Sequence, residues 1–500
     1  MVHSAYTAEV IRAAEQPLLD SSDTLMKSAA HAVYRAAEAM LKGPSRVVVL
    51  AGKGGNGGDA LYAAAELALA GHSVDAWCVF GDAHSPALEA FRNAGGTLID
   101  APTGAYELLV DGILGLGGSG SLPAQLDGIG EVADKVLAVD VPSGVAADTG
   151  EAGEVHIPAD VTVTFGGWRL AHALAPECGV ALLADIGGLS RRLADFEHTL
   201  ISRATLPDRA WPEGLVPLGP VRGTSLEPGA SDDKYTGGVV GIRAGSDTYP
   251  GAPILCTAGA VAATPAMVRY AGPQATEVVR AHPEVIAAPT LGDTGRVQAW
   301  VYGPGAGTDA DAARELEWLL GCEEPLLIDA DGLTLLAQHE HLRRALHDRS
   351  AYTVLTPHDG EARRLGEAVG IGEGGRLTEA RRLADLLQCT VVRKGRATII
   401  ASPNDQACAI VDAGNSWAAT PGSGDVLSGV AGARLARLTE HGELVHAVQV
   451  HGLASKLAAT TRYGEAPTSA SAIAAHVREA TALLTGGCAA TATSWPPTRR

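Results

Sequence analysis

The sequence predicts an α/β protein of two domains, each built on a parallel sheet with helices packed against it. Short apolar runs of strand length alternate with Ala-rich helical stretches along most of the chain, the pattern of right-handed crossover units. Several of those runs end in loops rich in Gly, Asp, Asn or Ser, where a parallel sheet binds its ligands. The 500 residues exceed one ordinary core, and residues 206–229 carry five prolines and no periodicity, so a linker is expected there. The predicted boundaries are a first domain over 1–205, a linker over 206–221, a second domain over 222–487 and a disordered tail over 488–500.

Taken in order, residues 8–16 and 24–41 read as helices, and Arg46–Leu50 as a buried strand. That strand runs into Gly52-Lys53-Gly54-Gly55-Asn56-Gly57-Gly58-Asp59, with a helix from Ala60 to Leu69. His72–Phe80 is the next strand and Leu88–Ala94 the next helix. Leu108–Asp111 and Val136–Asp140 each end at a carboxylate, the first followed by a Gly-rich loop over 112–121 and the second by Val141-Pro142-Ser143-Gly144. Val161–Phe165 is one more strand. Asn56, Asp111, Asp140 and Ser143 all sit just past strand ends, so one crevice is expected to collect them.

Beyond the linker, Gly237–Arg243 reads as a strand and Gly251–Arg269 as a helix. Val297–Tyr302 leads into Gly303-Pro304-Gly305-Ala306-Gly307, and Leu326–Asp329 is a further strand. Thr353–Leu355 runs into Thr356-Pro357-His358-Asp359-Gly360-Glu361, and Thr390–Arg393 into Lys394-Gly395-Arg396-Ala397-Thr398. Thr420-Pro421-Gly422-Ser423-Gly424-Asp425 then opens a helix over Val426–Leu438.

Composition narrows the function. A formal charge of −19 excludes general affinity for nucleic acid or anionic membrane, so an anionic ligand needs local devices. Met1–Tyr6 has no basic or apolar leader character, and no apolar run reaches membrane-spanning length. The seven cysteines are scattered with no CxxC pair, which argues against zinc and a disulfide framework. A cytoplasmic protein is expected.

The 420–429 stretch carries the sharpest chemistry. Its glycines let the backbone approach a ligand, and the helix start turns unpaired N–H groups and a positive dipole end toward an anion such as phosphate. A carboxylate there does not attract phosphate, so Asp425 is expected to take the proton of a hydroxyl that attacks one. Lys394–Thr398 offers cationic and backbone donors to a nucleotide. His358 and Glu361 place an imidazole and a carboxylate at a strand end, Glu361 able to support Mg²⁺ through water. In the first half, Gly52–Gly57 fits the dinucleotide pattern GxGxxG. Asp59, where pyrophosphate would lie, and the acidic loops at Asp111 and Asp140 weigh against a dehydrogenase. Oxygen ligands from Asn56, Asp111 and Ser143 suit a monovalent or hard divalent cation. No Gly-Lys is followed by Ser or Thr, so there is no Walker A loop.

Asn56-Gly57-Gly58-Asp59, the Asp111 loop and Val139-Asp140-Val141-Pro142-Ser143-Gly144 together resemble the epimerase domain of the NAD(P)H-hydrate repair enzymes. The 420–429 stretch with Lys394–Thr398 and the His358 loop resembles the ribokinase-like fold, and more closely the ADP-dependent NAD(P)H-hydrate dehydratases. The two in this order resemble the bifunctional bacterial repair family. The resemblance implies a three-layer Rossmann-like epimerase domain followed by a ribokinase-like dehydratase domain. It implies K⁺ at Asn56, Asp111 and Ser143. Substrate would touch Gly55, Asn56, Gly57, Gly58 and Asp59, the loop Gly115, Leu116, Gly117, Gly118, Ser119, Gly120 and Ser121, and Asp140, the candidate proton-transfer group. In the second domain, the nucleotide would lie on Lys394, Gly395, Arg396, Ala397, Thr398 and Gly424. The hydrated cofactor would touch Ala252, Gly305, His358 and Asp425, with Mg²⁺ assisting. The small-molecule partners are hydrated NADH, hydrated NADPH and ADP, and the assembly expected is a homo-oligomer.

Three positions depart from the family pattern: Gly55 where a second Asn is usual, Ala60 where Gly is usual, and no basic residue in the 112–121 loop. Two other readings stay open, the second of them because of these departures. One is a ribokinase-like small-molecule kinase; the other is a dehydratase carrying a non-catalytic binding module.

Overall fold

The computed structural model describes residues 3–19, 22–116, 120–372, 374–405 and 408–485. The chain divides between Gly219 and Pro220 into two compact units. The tail expected over 488–500 lies outside the described residues.

In the first unit the main sheet runs in the order Leu215–Pro217, Val180–Ala184, Val161–Phe165, Val136–Val139, Leu108–Gly112, Arg46–Ala51, Ser73–Cys78, Thr97–Leu98. Neighbours are parallel except Leu215–Pro217, which lies antiparallel to Val180–Ala184. Strand Arg46–Ala51 shows why the central runs lack polar alternation. Val47 and Val49 enter the core beneath helices Thr24–Met40 and Gly55–Leu69, while Val48 and Leu50 enter a second core with Leu109 and Ala138. Both faces are buried, so both want apolar residues. A smaller ribbon pairs His3–Tyr6 with Thr199–Arg203 and with Trp168–Arg169.

Two expectations change here. The helix placed at Ala60 begins at Gly55 and takes in the glycines read as loop. Space is the reason: a Cβ at Gly57 would lie 2.0 Å from the Gly52 carbonyl oxygen, and one at Gly58 2.5 Å from Met26 Sδ. Leu215–Pro217, within the stretch read as linker, is a paired edge strand, because Leu215 is buried in the first unit's core.

The second unit's sheet runs Ile286–Ala288, Met267–Ala271, Val239–Arg243, Ala299–Tyr302, Leu326–Ile328, Thr353–Leu355, Thr390–Arg393, Ala397–Ala401, Cys408–Asp412. It is parallel as far as Thr390–Arg393, and the last two strands are antiparallel. Lys394–Arg396 is therefore a hairpin turn, and Ala397 and Thr398 belong to the following strand. The helix expected over 251–269 spans only Ala252–Ala263, and Met267–Ala271 is a strand. Pro265 cannot continue the helix, and Thr264 before it is extended.

Helix Ala252–Ala263 runs alongside helix Ser423–Arg437 in the same sense. A Cβ at Gly422 would lie 2.5 Å from Leu255 Cδ1, one at Gly259 2.3 Å from the Val426 oxygen, and one at Gly429 1.9 Å from the Cys256 oxygen. Glycine at 259 and 429 lets the two backbones touch. Among the described residues, no helix is long and apolar enough to cross a membrane.

Candidate active sites

In the first unit a cavity of about 570 Å³ opens at the carboxyl ends of the central strands, lined in part by Gly55, Asn56, Asp59, Leu116, Asp140 and Arg169. Asp140 follows strand Val136–Val139 with φ +66°, a left-handed backbone unusual for a residue with a side chain. Its main chain is held on both sides, N–H to the Val163 oxygen at 2.7 Å and C=O accepting from His172 Nε2 at 2.8 Å. His172 Nδ1 accepts the Arg169 N–H at 3.0 Å, so the ring is a neutral tautomer with its proton on Nε2. Burial agrees, pushing its pKa down to about 4. Asp140 Oδ1 receives Arg169 Nη2 at 2.8 Å and Thr164 Oγ1 at 2.9 Å, whereas Oδ2 is buried without a partner. Both side chains of the ion pair are almost wholly buried, at 1% and 3% exposure. One oxygen is thus locked, and the other has no hydrogen-bond partner.

Asp59 is buried against the same cavity, and its carboxyl is pushed well above the usual range by burial, then by Asp140 and Glu15. Asn56 donates to the carbonyl oxygens of Leu114 at 3.0 Å and Val139 at 2.7 Å. Ser143 Oγ donates to Asp111 Oδ1 at 2.6 Å and accepts the Leu114 N–H at 2.9 Å. Asp111 Oδ2 accepts the Ser143 N–H at 2.8 Å. Burial pushes the Asp111 pKa up to about 6 against these bonds. Asn56 and Ser143 therefore meet at Leu114, with Asp111 behind Ser143, and oxygen donors of this kind are those a K⁺ ion takes.

Of the other expected contacts, Gly115 lines the cavity with Leu116. Gly57 and Gly58 face Gly52 and Met26 instead. Ser121 is tied to the Val155 N–H at 2.7 Å and, with Gly120, lies off the cavity lining. Gly117, Gly118 and Ser119 lie outside the described residues. A Cβ at Gly55 would meet nothing within 4 Å, so the missing side chain leaves open space. Ala60 is buried, 2.4 Å from where a Cβ on Gly112 would stand. No basic residue occupies the loop, but Arg12 reaches it from helix Ala8–Glu15, donating to the Leu116 oxygen at 2.5 Å.

In the second unit a cavity of about 670 Å³ is lined in part by Lys394, Gly395, Arg396, Thr398, Gly424 and His358, together with Asn415 and His451. Ala397 is not part of the lining. Helix Ser423–Arg437 points its start at this cavity from a left-handed Gly422 at φ +81°. His451, whose pKa burial pushes down to about 4, braces that start through Ser423 Oγ at 2.9 Å. Asp425 is half-buried. Its pKa is pushed up to about 7, first by burial and then by Asp329, with Asp331 and Glu361 adding and Lys394 opposing.

Lys394 does not extend freely into this cavity: Nζ donates to Asp329 Oδ1 at 2.6 Å. Burial favours its neutral form, but Asp329 and Glu361 outweigh burial and raise its pKa. His358 and Glu361 form a capping box on helix Asp359–Val369, Glu361 accepting the His358 N–H at 2.8 Å. Glu361 is thereby committed to the helix start, and among the described residues no three His, Cys, Asp or Glu side chains converge as a metal site. Gly305, at φ +61°, sits against Tyr249 and Ala252: a Cβ there would lie 2.7 Å from Tyr249 Cβ and 3.0 Å from Ala252 Cβ.

Arg12, Arg169, His172, Asp329 and His451 escape the sequence reading. Asp329 alone had a signal, a carboxylate at a strand end.

A family model described as NAD(P)H-hydrate dehydratase matches residues 240–476, and one described as YjeF-related protein N-terminus matches residues 22–171. The chain is 41% identical to a bifunctional NAD(P)H-hydrate repair enzyme of Corynebacterium glutamicum, across 96% of this chain and 98% of that one. It is 45% identical to the enzyme of the same description in Mycobacterium tuberculosis, across 96% and 99%. Among solved structures it is similar to the ADP/ATP-dependent NAD(P)H-hydrate dehydratase of Bacillus subtilis co-crystallised with ATP and Mg²⁺, at 26% identity and a TM-score of 0.45, covering 52% of this chain and 95% of that one.

Proposed function

The chain belongs to the bifunctional NAD(P)H-hydrate repair family, and on that premise we propose how its two units divide the work. The first interconverts the C6 epimers of hydrated NADH and NADPH. The second dehydrates one epimer with ADP as phosphoryl donor, releasing AMP and phosphate.

In the second unit the nucleotide lies along the 394–398 turn with its β-phosphate at the start of helix Ser423–Arg437. The hydrated ring rests against Ala252, Gly305 and His358. Hydroxide is a poor leaving group, and phosphorylation makes it a good one. Asp425 takes the C6 hydroxyl proton as that oxygen attacks the β-phosphorus; the bond to the α-phosphate bridging oxygen breaks and AMP leaves. The N1 lone pair then expels phosphate from C6, and the C5 proton passes to the departing phosphate, restoring the double bond. The N–H groups of the helix start hold the charge that develops on the transferring group. Mg²⁺ would come with the nucleotide and would supply positive charge to its phosphates.

In the first unit Asp140 Oδ2 takes the C6 hydroxyl proton as the C6–N1 bond opens to an aldehyde and N1 picks up a proton; reclosure of N1 on the other face of the aldehyde, with both protons returned, inverts C6 while Arg169 and Thr164 hold Oδ1. Asn56, Asp111 and Ser143 would hold K⁺, which supplies a fixed positive charge that orients the substrate.

The observation that carries this reading is Asp425 at an open helix start with its pKa near 7, a base matched to neutral pH. The test incubates the full chain with mixed hydrate epimers, ADP, Mg²⁺ and K⁺ and follows the absorbance of reduced nicotinamide. Complete recovery is expected, with AMP and phosphate formed one for one. A plateau at one epimer's share would make the first unit a binding module. A stable phosphorylated product would make the second a kinase.

A further inference from the structure

Lys394 stands in a hairpin turn, where a lysine ordinarily reaches for solvent. Its side chain is instead only 17% exposed, and Asp329, which it meets at 2.6 Å, is 1% exposed. The second Asp329 oxygen accepts from Ser428 Oγ at 2.7 Å, on the helix that begins at Ser423. Glu361 Oε2 lies 3.9 Å from the ammonium, too far for a hydrogen bond. One N–H of three is therefore used among the described residues, and two remain for a ligand. Their location is fixed by Gly424: a Cβ at that position would stand 3.3 Å from Lys394 Nζ and 3.9 Å from Asp329 Oδ2. The ammonium thus lies against the first turn of the helix, one residue from Asp425.

We propose that Asp329 is a positioning residue for the phosphoryl transfer, clamping Lys394 so that its ammonium meets the β-phosphate at the helix start and not the nucleoside. Recognition of a base or ribose needs no buried carboxylate behind the lysine. A phosphate at a site already crowded by Asp329, Asp331, Glu361 and Asp425 does need a cation held there before the ligand arrives. Ser428 fixes the carboxylate that fixes the lysine, so strand end, hairpin turn and catalytic helix share one geometry.

This inference rests on the dehydratase reading, which wild-type turnover judges separately. The first test is calorimetric and needs no turnover. Lys394→Ala should weaken ADP about tenfold or more while leaving AMP, which has no β-phosphate, within about twofold. Equal losses for both nucleotides would place Lys394 on the nucleoside and overturn the proposal.

The second test is kinetic, on the pure reactive epimer. Asp329→Asn should lower kcat about 10²-fold with little change in KM for ADP. Its pH profile should also move. The groups facing Asp425 are Asp329, Asp331, Glu361 and Lys394, with Cys256 behind them. Removing Asp329 should carry the acidic limb of kcat/KM to lower pH, and removing Lys394 should carry it to higher pH. Limbs that stay still or move together overturn the clamp. Ser428→Ala keeps the Asp329–Lys394 pair and serves if Asp329→Asn does not fold: a fall in kcat at unchanged ADP KM supports the proposal, and wild-type kcat overturns it.

Discussion

Asp140 in the first unit lies against a guanidinium, whereas Asp425 in the second lies among carboxylates. Asp140 follows a strand of a parallel sheet and lines a cavity, Asp425 stands in the first turn of a helix, and both are read as proton-transfer groups. Asp140 has one oxygen locked by Arg169 and Thr164 and its backbone pinned by His172. Asp425 has Asp329 as its strongest charged neighbour, and its pKa rises to about 7. The same side chain is given fixed geometry in one site and a titration near neutrality in the other. What separates the two is what surrounds each carboxylate, a guanidinium for Asp140 and, for Asp425, burial and then a second carboxylate.

That contrast can be broken in four ways. The largest effect is expected from Asp425→Asn, which should cut dehydration of the reactive epimer by about 10²–10⁴-fold while nucleotide titrations stay near wild type. A near wild-type rate would remove Asp425 as the base. Next, Asp140→Asn should leave that pure-epimer assay untouched and slow epimerisation by about 10²-fold or more. With a mixture, its progress curve should bend to the spontaneous rate once the accepted epimer is consumed; a curve matching wild type would take Asp140 out of the proton transfer.

pH sharpens the comparison. The base works deprotonated, so dehydration should hold above neutrality and fall as pH drops through about 7, by about tenfold at one unit below. An acidic limb near the ordinary carboxylate range would show that its neighbours do not govern Asp425. The smallest effect is expected from withdrawing K⁺, which should slow only the mixed-epimer assay, severalfold. An equal loss with the pure epimer would place the cation's influence in the second unit.

Much of this was legible where the signal was local. Gly422 at φ +81° followed by Asp425 is turn chemistry read directly from residue types. Asn56, Asp111 and Ser143 came together because strand ends in a parallel sheet share one edge. Pro265 was a legible stop that the apolar run over 251–269 concealed. The glycines at 55–58 looked like loop because glycine is a poor helix former; no propensity reveals that Gly57 is pressed against the Gly52 backbone and Gly58 against Met26. Arg169 was not legible as a site residue and Asp329 only as a carboxylate at a strand end, since their contacts are with residues 29 and 65 positions away in the chain. Lys394 was found, but its direction was not. A turn suggests a lysine facing outward, and only the buried Asp329 turns it in.

The contact through Gly259 and Gly429 has a consequence for anyone who would transplant or redesign the second site. Ala252 and Asp425 stand at the same end of two helices whose main chains touch, so the gap between these two residues is set by backbone against backbone. Repacking the side chains around the helices would leave that gap in place. A single methyl group at 259 or 429 would wedge the helices apart, and the site would lose its alignment from a position that never meets the ligand.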